Sequence, residues 1–364
     1  MGQHRFDAVI IGAGQAGLST AYELSRRGVS CVALDAEPRI GNQWRRRWDS
    51  LRLFTPARVD RLPGSRFPAP DMAYPTKDEF ADYLESYAAE ARIPVRSGVR
   101  ANAVTRTGST YRVETTDGVY ESAHVVVATG YDKAHVPALA ADLSSSIQQM
   151  HASDYRNAAQ LSGDVLVVGA GTSGVEIAVE AAAAGHETTL AGKGTGEIPP
   201  AVYAFGGRLF WWYATRVATL DTPMGRAMYK KVGSRGAPLI RLKMADAIAA
   251  GVKRAPRVAS VENGLPKLED GSVIRPETIV WCTGFGHDFS WIKVPNLQHQ
   301  RGVVEGEPGI YFVGLFFQSR LASGFAGGVG IDARYVAEAI ASRVALGDDG
   351  RIDVATPQVD RLAV

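Results

Sequence analysis

Val9-Ile10-Ile11-Gly12-Ala13-Gly14-Gln15-Ala16-Gly17 is an apolar run that breaks into three glycines at GxGxxG spacing. The run reads as a buried parallel strand. Gly12 serves the tight turn, Gly14 lets the backbone approach a pyrophosphate, and Gly17 lets the next helix pack on the strand. Gln15 and Ala16 open that helix, whose N-terminus offers free N–H groups and the positive end of its dipole to phosphates. A lone GxGxxG is a weak signal. Here the helix-like segment Ala16–Arg27 follows it, Gly28 closes the helix, and Asp35 ends the next apolar run, Val29–Leu34. An acid roughly 20 residues past the glycines binds ribose hydroxyls and favours a free 2′-hydroxyl, as in FAD or NAD.

The same pattern returns at Val165–Gly174, where Gly169, Gly171 and Gly174 enclose Thr172 and Ser173. Each copy is matched by a later apolar strand ending in Thr-Gly, at Thr129-Gly130 and at Thr283-Gly284. Two accidental matches in register are improbable, so the chain is expected to be α/β with two Rossmann-like dinucleotide-binding domains. The second is expected to be inserted in the first: 1–155 and 285–364 form one domain, 156–284 the other. The second copy carries Leu190-Ala191-Gly192-Lys193 where the first carries Asp35. A lysine attracts a 2′-phosphate that an acid repels, which favours NADP(H) over NAD(H). Lys193 as a solvated loop lysine, and Glu197 as a ribose ligand, remain open readings.

The net charge of +2 gives no bulk electrostatic case for nucleic acid or an anionic membrane, and Arg45-Arg46-Arg47 is too short to change that. Cys31 and Cys282 are the two cysteines, each inside an apolar run. They form no CxxC pair, which argues against a thioredoxin-like redox centre and a secreted disulfide scaffold. Both read as packing residues. No apolar stretch reaches the roughly 18 residues of a membrane span, and the N-terminus has no signal-peptide pattern. The expectation is a cytoplasmic protein without a metal site.

Three segments are less patterned. Residues 40–70 hold Gly41, Pro56, Pro63, Pro68, Trp44, Trp48 and five arginines between 45 and 58. They read as an ordered loop over a ligand or as a surface excursion. Residues 198–232 concentrate Tyr203, Phe205, Phe210, Trp211, Trp212, Tyr213 and Tyr229. This is an aromatic lid, a homodimer contact, or an amphipathic helix packed on the sheet. Gly309–Gly314 is a short strand that feeds a glycine-dense loop and a helix from Ile331, a backbone geometry suited to an anionic or electron-rich group. Between these, Thr76 and Glu79 form a capping-box pattern ahead of Phe80, Tyr83, Leu84 and Tyr87. Val99–Val104, Thr110–Thr115 and Val119–His124 read as antiparallel strands, and Val125–Ala128 as a further strand.

Taken together, Gly12–Gly17 with Asp35, Gly41–Arg45 leading to Asp49–Leu53, Ala128–Gly130, Gly169–Gly174, Cys282–Gly284, and Gly314 through Asp332 resemble the flavin-containing monooxygenase-like flavoproteins. That group also holds the YUCCA-type enzymes and the class B Baeyer–Villiger monooxygenases. The resemblance implies FAD on the first unit and NADPH on the second. It implies that Gln43, Trp44 and the stretch around Arg52 line the isoalloxazine. It also implies that the two Thr-Gly ends mark where the chain crosses between domains, and that Gly314, Gln318, Ser323 and Gly324 close the flavin site. Two departures stand out. The family's Phe-x-Gly-x-x-x-His-x-x-x-(Phe/Tyr) fingerprint keeps His151 and Tyr155, with Ser145 and Ile147 in place of Phe and Gly. Phe54 stands near where many heteroatom-oxidising members carry asparagine.

The activity so implied is an NADPH-dependent FAD monooxygenase. It would use O2 to oxygenate a small organic substrate of nitrogen, sulfur or carbonyl type through a C4a-(hydro)peroxyflavin. An NAD(P)H-dependent flavin reductase or oxidase without oxygenation is the alternative, and a non-catalytic flavoprotein a third. No catalytic base is singled out, and His151 reads as a tether of the inter-domain linker.

Overall fold

The computed structural model describes residues 3–131, 133–199, 207–233 and 238–346. The opening run is strand β1 (Gln3–Ile11), followed by helix α1 (Gln15–Ser25) and strand β2 (Cys31–Asp35). β2 lies parallel to β1, with Ile10 opposite Ala33. The 40–70 segment is loop apart from one turn of helix, α2 (Asn42–Arg45), and an isolated bridge from Arg52 to Thr76. Helix α3 (Lys77–Glu90) starts at the capping box as expected: Thr76 and Glu79 each accept the other's backbone N–H. Strands β3 (Val95–Ser97), β4 (Ala101–Thr107), β5 (Thr110–Thr115) and β6 (Gly118–Val127) complete the first lobe's early part.

β6 corrects the sequence reading, which split this stretch after His124. It is a single strand. Its first half pairs antiparallel with β5, and its second half pairs parallel with the late strand Ile310–Phe312. β1 runs beside both halves. The change from alternating to continuous apolar residues marks a change from one covered face to two, and the backbone does not break.

The second sheet is parallel throughout. It comprises β7 (Gln148–His151), β8 (Val165–Val168), β9 (Thr188–Ala191), β10 (Lys253–Ala255) and β11 (Thr278–Trp281), in the order β10-β9-β8-β11-β7. Helix α4 (Thr172–Ala183) follows β8. β7 pairs with β11, His151 opposite Trp281, so a strand on the near side of the expected 155/156 boundary belongs to the second sheet. Gln148-Gln149-Met150-His151 has no apolar alternation because β7 is an edge strand, half open to water, and this hid it.

After helix α7 (Met244–Ala249) and strands β10 and β11, the chain returns to the first sheet with β12 (Ile310–Phe312) and ends its described part in α8 (Val329–Leu346). The parallel part of that sheet reads β3-β2-β1-β6-β12. α1, α3 and α8 cover one face through Leu18, Leu24, Phe80, Leu84, Val336 and Ile340, all fully buried. Val9, Val32, Val113, Val125 and Phe312 fill the other face beneath the meander.

Residues 207–233 form a short helix, α5 (Arg208–Trp212), a π-helical turn (Tyr213–Val217) and α6 (Pro223–Gly233). Tyr203 and Phe205 lie outside the described residues. The aromatics do not pack on the second sheet. Phe210, Trp211, Tyr213 and Tyr229 join Phe54, Phe317 and Phe325 in a cluster shared with the first lobe. Backbone bonds from Leu220 N–H to Ser319 O (2.9 Å) and from Leu321 N–H to Ala218 O (2.9 Å) fasten the segment there. The segment thereby bridges the two lobes.

Candidate functional site

The two glycine turns are built alike. Gly12 has φ +107° and Gly169 φ +113°, left-handed values that side chains rarely adopt. A Cβ on Gly12 would lie 2.4 Å from Ala128 O, and one on Gly169 would lie 2.2 Å from Cys282 O. The Thr-Gly strand ends therefore press on the first glycine of each turn, which is why both signals recur together. A Cβ on Gly17 or Gly174 would lie 1.8 Å from the carbonyl of Gly12 or Gly169. The middle glycines differ. Gly14 has nothing within 4 Å of a Cβ, and Gly171 only the Thr195 methyl at 3.9 Å. The protein itself does not require glycine there; close approach of a phosphate to the backbone does. Neither α1 nor α4 has a capping side chain or an acid in its first turn, so their first N–H groups are free for an anion. The residues present fit a dinucleotide at each turn.

At the first turn, Asp35 ends β2 beside the glycines. Its carboxylate accepts from Ala13 N–H (2.6 Å) and Glu37 N–H (2.8 Å). Burial raises its pKa, and the two backbone bonds oppose that shift. Trp44 Nε1 donates to Gln15 Oε1 at 3.3 Å, tying the tryptophan loop to the start of α1. Gly314, at φ +94°, sits where a Cβ would come within 2.9 Å of the Ala16 side chain. These residues converge. Gln43 and Arg52 are exposed, and the Arg52 guanidinium donates to Tyr74 O at 3.0 Å. Gln318 and Ser323 are buried and committed internally. Gln318 Nε2 donates to Phe312 O (2.8 Å), and Ser323 Oγ accepts from Ser319 and Arg320 N–H (3.1 Å each). They hold the glycine loop in shape and leave ligand contact to its backbone. Gly324 is at the surface of that loop.

The second turn opens on a cavity of about 720 Å³. Gly169, Gly171, Thr172, Ser173, Lys193, Thr283 and Gly284 line it, together with Phe54 of the first lobe. Gly174 lies beneath, packed on Gly169. Thr129 and Gly130 sit at the first crossing between lobes. There His287 Nδ1 meets Gly130 O at 3.0 Å, and a ribbon pairs Ala134 with Phe285. His151 is at the second crossing: Nδ1 accepts from Ser153 N–H (3.1 Å), so Nε2 carries the proton and donates to Gly284 O (3.1 Å). Burial lowers the pKa of His151, which keeps the ring neutral.

Glu197 does not face a ribose site, since its carboxylate accepts from Met244 N–H at 2.9 Å. Arg257, also on the cavity wall, escaped the sequence reading because it lies far along the chain on a separate strand end. Burial pushes the Cys31 thiol up to about 11 and the Cys282 thiol up to about 12. Both stay protonated and unreactive.

Two glycine-turn dinucleotide sites, with no activated thiol among the described residues, define a flavin- and nicotinamide-dependent oxidoreductase of the flavin monooxygenase-like group; its cofactors are FAD and NADP. Residues 9–207 match the family described as pyridine nucleotide-disulphide oxidoreductase, and the chain belongs to it. The chain is 37% identical to the CzcO-like oxidoreductase of Geobacillus kaustophilus (strain HTA426) over 92% of its own length and 98% of that protein. It is 28% identical to the indole-3-pyruvate monooxygenase YUCCA1 of Oryza sativa subsp. japonica, covering 85% and 86% of the two chains. The structure of a flavin-containing monooxygenase from Stenotrophomonas maltophilia superposes with a TM-score of 0.77 at 26% identity, covering 94% and 99%. No helix among the described residues is long and apolar enough to cross a membrane.

Proposed function

We propose that this enzyme is an NADPH-dependent monooxygenase that transfers one oxygen atom of O2 to a nitrogen, sulfur or carbonyl carbon of a small organic substrate. The observation that carries this reading is the cavity at the second-lobe turn, whose lining takes in Phe54 of the first lobe. A nicotinamide held in that cavity would lie towards the first lobe, whose glycine turn would hold the flavin. Bound flavin supplies hydride acceptance and O2 activation. The chain's own part is to position and to keep water out. The glycine turns fix the two phosphate groups, and His151 with Thr283 fixes the linker between them. Phe54, Phe325 and Trp211 cover the junction with apolar surface, Phe54 and Phe325 meeting edge-to-face at 5.6 Å. No side-chain base is assigned. Phe54 supports the second reading, a reductase or oxidase without oxygenation, because it offers no hydrogen bond near the flavin.

The test uses 18O2 with purified enzyme and NADPH against panels of amines, thioethers and ketones. One labelled oxygen per product molecule, with substrate-stimulated NADPH consumption, is the expected outcome. NADPH consumption that yields only reduced oxygen species, with no labelled product across the panels, replaces it with the second reading.

A further inference from the structure

Asp60 is a fully buried acid with no part in the chemistry described above. It closes a tight ring in the loop between β2 and α3. Val59 N–H donates to Pro56 O at 2.9 Å, and Asp60 N–H donates to Ala57 O at 3.2 Å. The Thr55 hydroxyl, also buried, donates to Asp60 Oδ1 at 2.5 Å. The ring touches two walls of the lobe junction. Phe54, which lines the second-lobe cavity, is the residue before Thr55. On the other side, Val59 O lies so close to Gly327 that a Cβ there would be 1.9 Å away, and Pro63 packs on Gly330 in the same manner at 2.7 Å. Gly327 is two residues past Phe325, whose carbonyl accepts from Gly328 and Val329 N–H (3.0 and 3.2 Å) and so follows the start of α8. Phe54 and Phe325 then meet edge-to-face.

Asp60 Oδ2 has no hydrogen-bond partner among the described residues. Burial pushes the carboxyl up to about 8; the Thr55 bond opposes that shift, and no charged group contributes to it. The ionisable groups packed around the ring are engaged elsewhere. Tyr83 of α3 accepts from Leu62 N–H (2.7 Å), Tyr87 donates to Pro63 O (2.9 Å), Arg58 faces Asp71 at 4.0 Å, and Asp332 of α8 accepts from Ser319. Arg61 is exposed. An ionised carboxylate at position 60 is a buried charge with a single side-chain hydrogen bond, which costs far more than a neutral acid in the same place.

We propose that Asp60 is a positioning residue: as a neutral acid it keeps the ring closed and holds Phe54 against Phe325 at the lobe junction, and its ionisation releases both walls. The closed ring favours the proton, so closure is strongest below the free carboxyl range and weakens as pH rises, until the folded value is passed.

Hydrogen–deuterium exchange of the flavin-loaded full-length protein, corrected for the intrinsic pH dependence of amide exchange, tests this. Each pH unit between the free and folded values favours opening about tenfold, so between pH 6 and pH 8 the amides of 54–60 and of 325–328 should lose protection together by roughly 10-fold or more. Amides of β1 and α1 should not change. Asp60→Asn keeps an acceptor for Thr55 and cannot ionise, so its protection should stay flat over that range. Thr55→Val removes the bond that favours the charged form, so the pH at which protection stops falling should rise. Wild-type protection that does not vary with pH, the same variation in Asp60→Asn, or loosening of 54–60 without 325–328 overturns the proposal. Should Asp60→Asn not fold, a levelling pH that stays in place in Thr55→Val overturns it as well. No turnover is read, so the monooxygenase reading can fail in the 18O2 experiment while this result stands, and the reverse.

Discussion

At the scale of single residues, the six glycines of the two turns separate into those the protein needs and those its ligands need. Gly17→Ala forces a methyl to within 1.8 Å of the Gly12 carbonyl, and backbone cannot yield as a flexible side chain does. Destabilisation of about 3 kcal/mol or more is expected, at the upper end for overpacking. Gly14→Ala meets open space, and at a helix N-cap, where Gly is preferred to Ala, the exchange costs only about 0.5–1 kcal/mol. Its effect should appear in flavin retention. Thermal melts of the apoprotein should place Gly14→Ala beside the wild type and Gly17→Ala far below it. Visible absorbance should show bound flavin lost from both. An apoprotein of Gly14→Ala as unstable as Gly17→Ala would contradict the division. These positions were legible in the sequence because a backbone clash permits one residue type. Arg257 was not, because an exposed arginine on a strand end has no local pattern, and only the pairing of β9 with β10 brings it to Lys193.

Among elements, legibility followed how each buries its apolar residues. β1, β8 and α3 announce themselves because strand burial on two faces, or a capping box with helical spacing, leaves a local trace. The edge strand β7 and the single strand β6 were misdivided because their neighbours, distant in sequence, set their burial. The segment from α5 to α6 was visible only as aromatic density, and it packs on the first lobe rather than on the second sheet. Its anchor is Arg320, whose guanidinium donates to Thr215 O at 2.6 Å and to Ser319 Oγ at 3.0 Å. Ser319 Oγ in turn donates to Asp332 on α8. A π-turn such as Tyr213–Val217 holds its backbone less regularly than an α-helix and depends on such outside bonds. Arg320→Met should therefore loosen the α5–α6 segment first, at a cost of about 1–2 kcal/mol for the lost charge-assisted bonds. Limited trypsin digestion followed by mass mapping should show faster cleavage at Arg208 and Arg216, while the sheets stay protected. Cleavage unchanged at those sites would mean that the two backbone bonds at Ser319 and Leu321 suffice.

Over the whole molecule, the chemistry depends on how one lobe is held against the other, and most of that holding runs through a few polar contacts. The tryptophan loop reaches across through Ser50 Oγ to Glu180 on α4 (2.5 Å) and through Asp49 to Asn157 Nδ2 (2.7 Å). His151 fixes the return crossing at Gly284. Replacing it by Phe keeps the ring's bulk, which packs edge-on against Phe285 at 4.9 Å, and removes the tether alone. The glycine turn and the α4 N-terminus, which would hold the dinucleotide's phosphates, do not depend on this bond, so NADP+ affinity should stay within about 3-fold. Hydride transfer needs the two rings aligned to a fraction of an ångström, so anaerobic flavin reduction by NADPH should slow by about 10-fold or more. Acid does less than this substitution does. The folded pKa of His151 lies below the free value, so the folded state disfavours the added proton, and stability falls as pH drops from the free imidazole value towards the folded one. Protonation gives Nδ1 a hydrogen and ends its acceptance from Ser153 N–H, but Nε2 goes on donating to Gly284 O, so the tether survives. Rapid-mixing measurements should therefore show the variant slower than the wild type at neutral and mildly acid pH alike. An unchanged rate in the variant would assign the alignment to the loop contacts at Ser50 and Asp49.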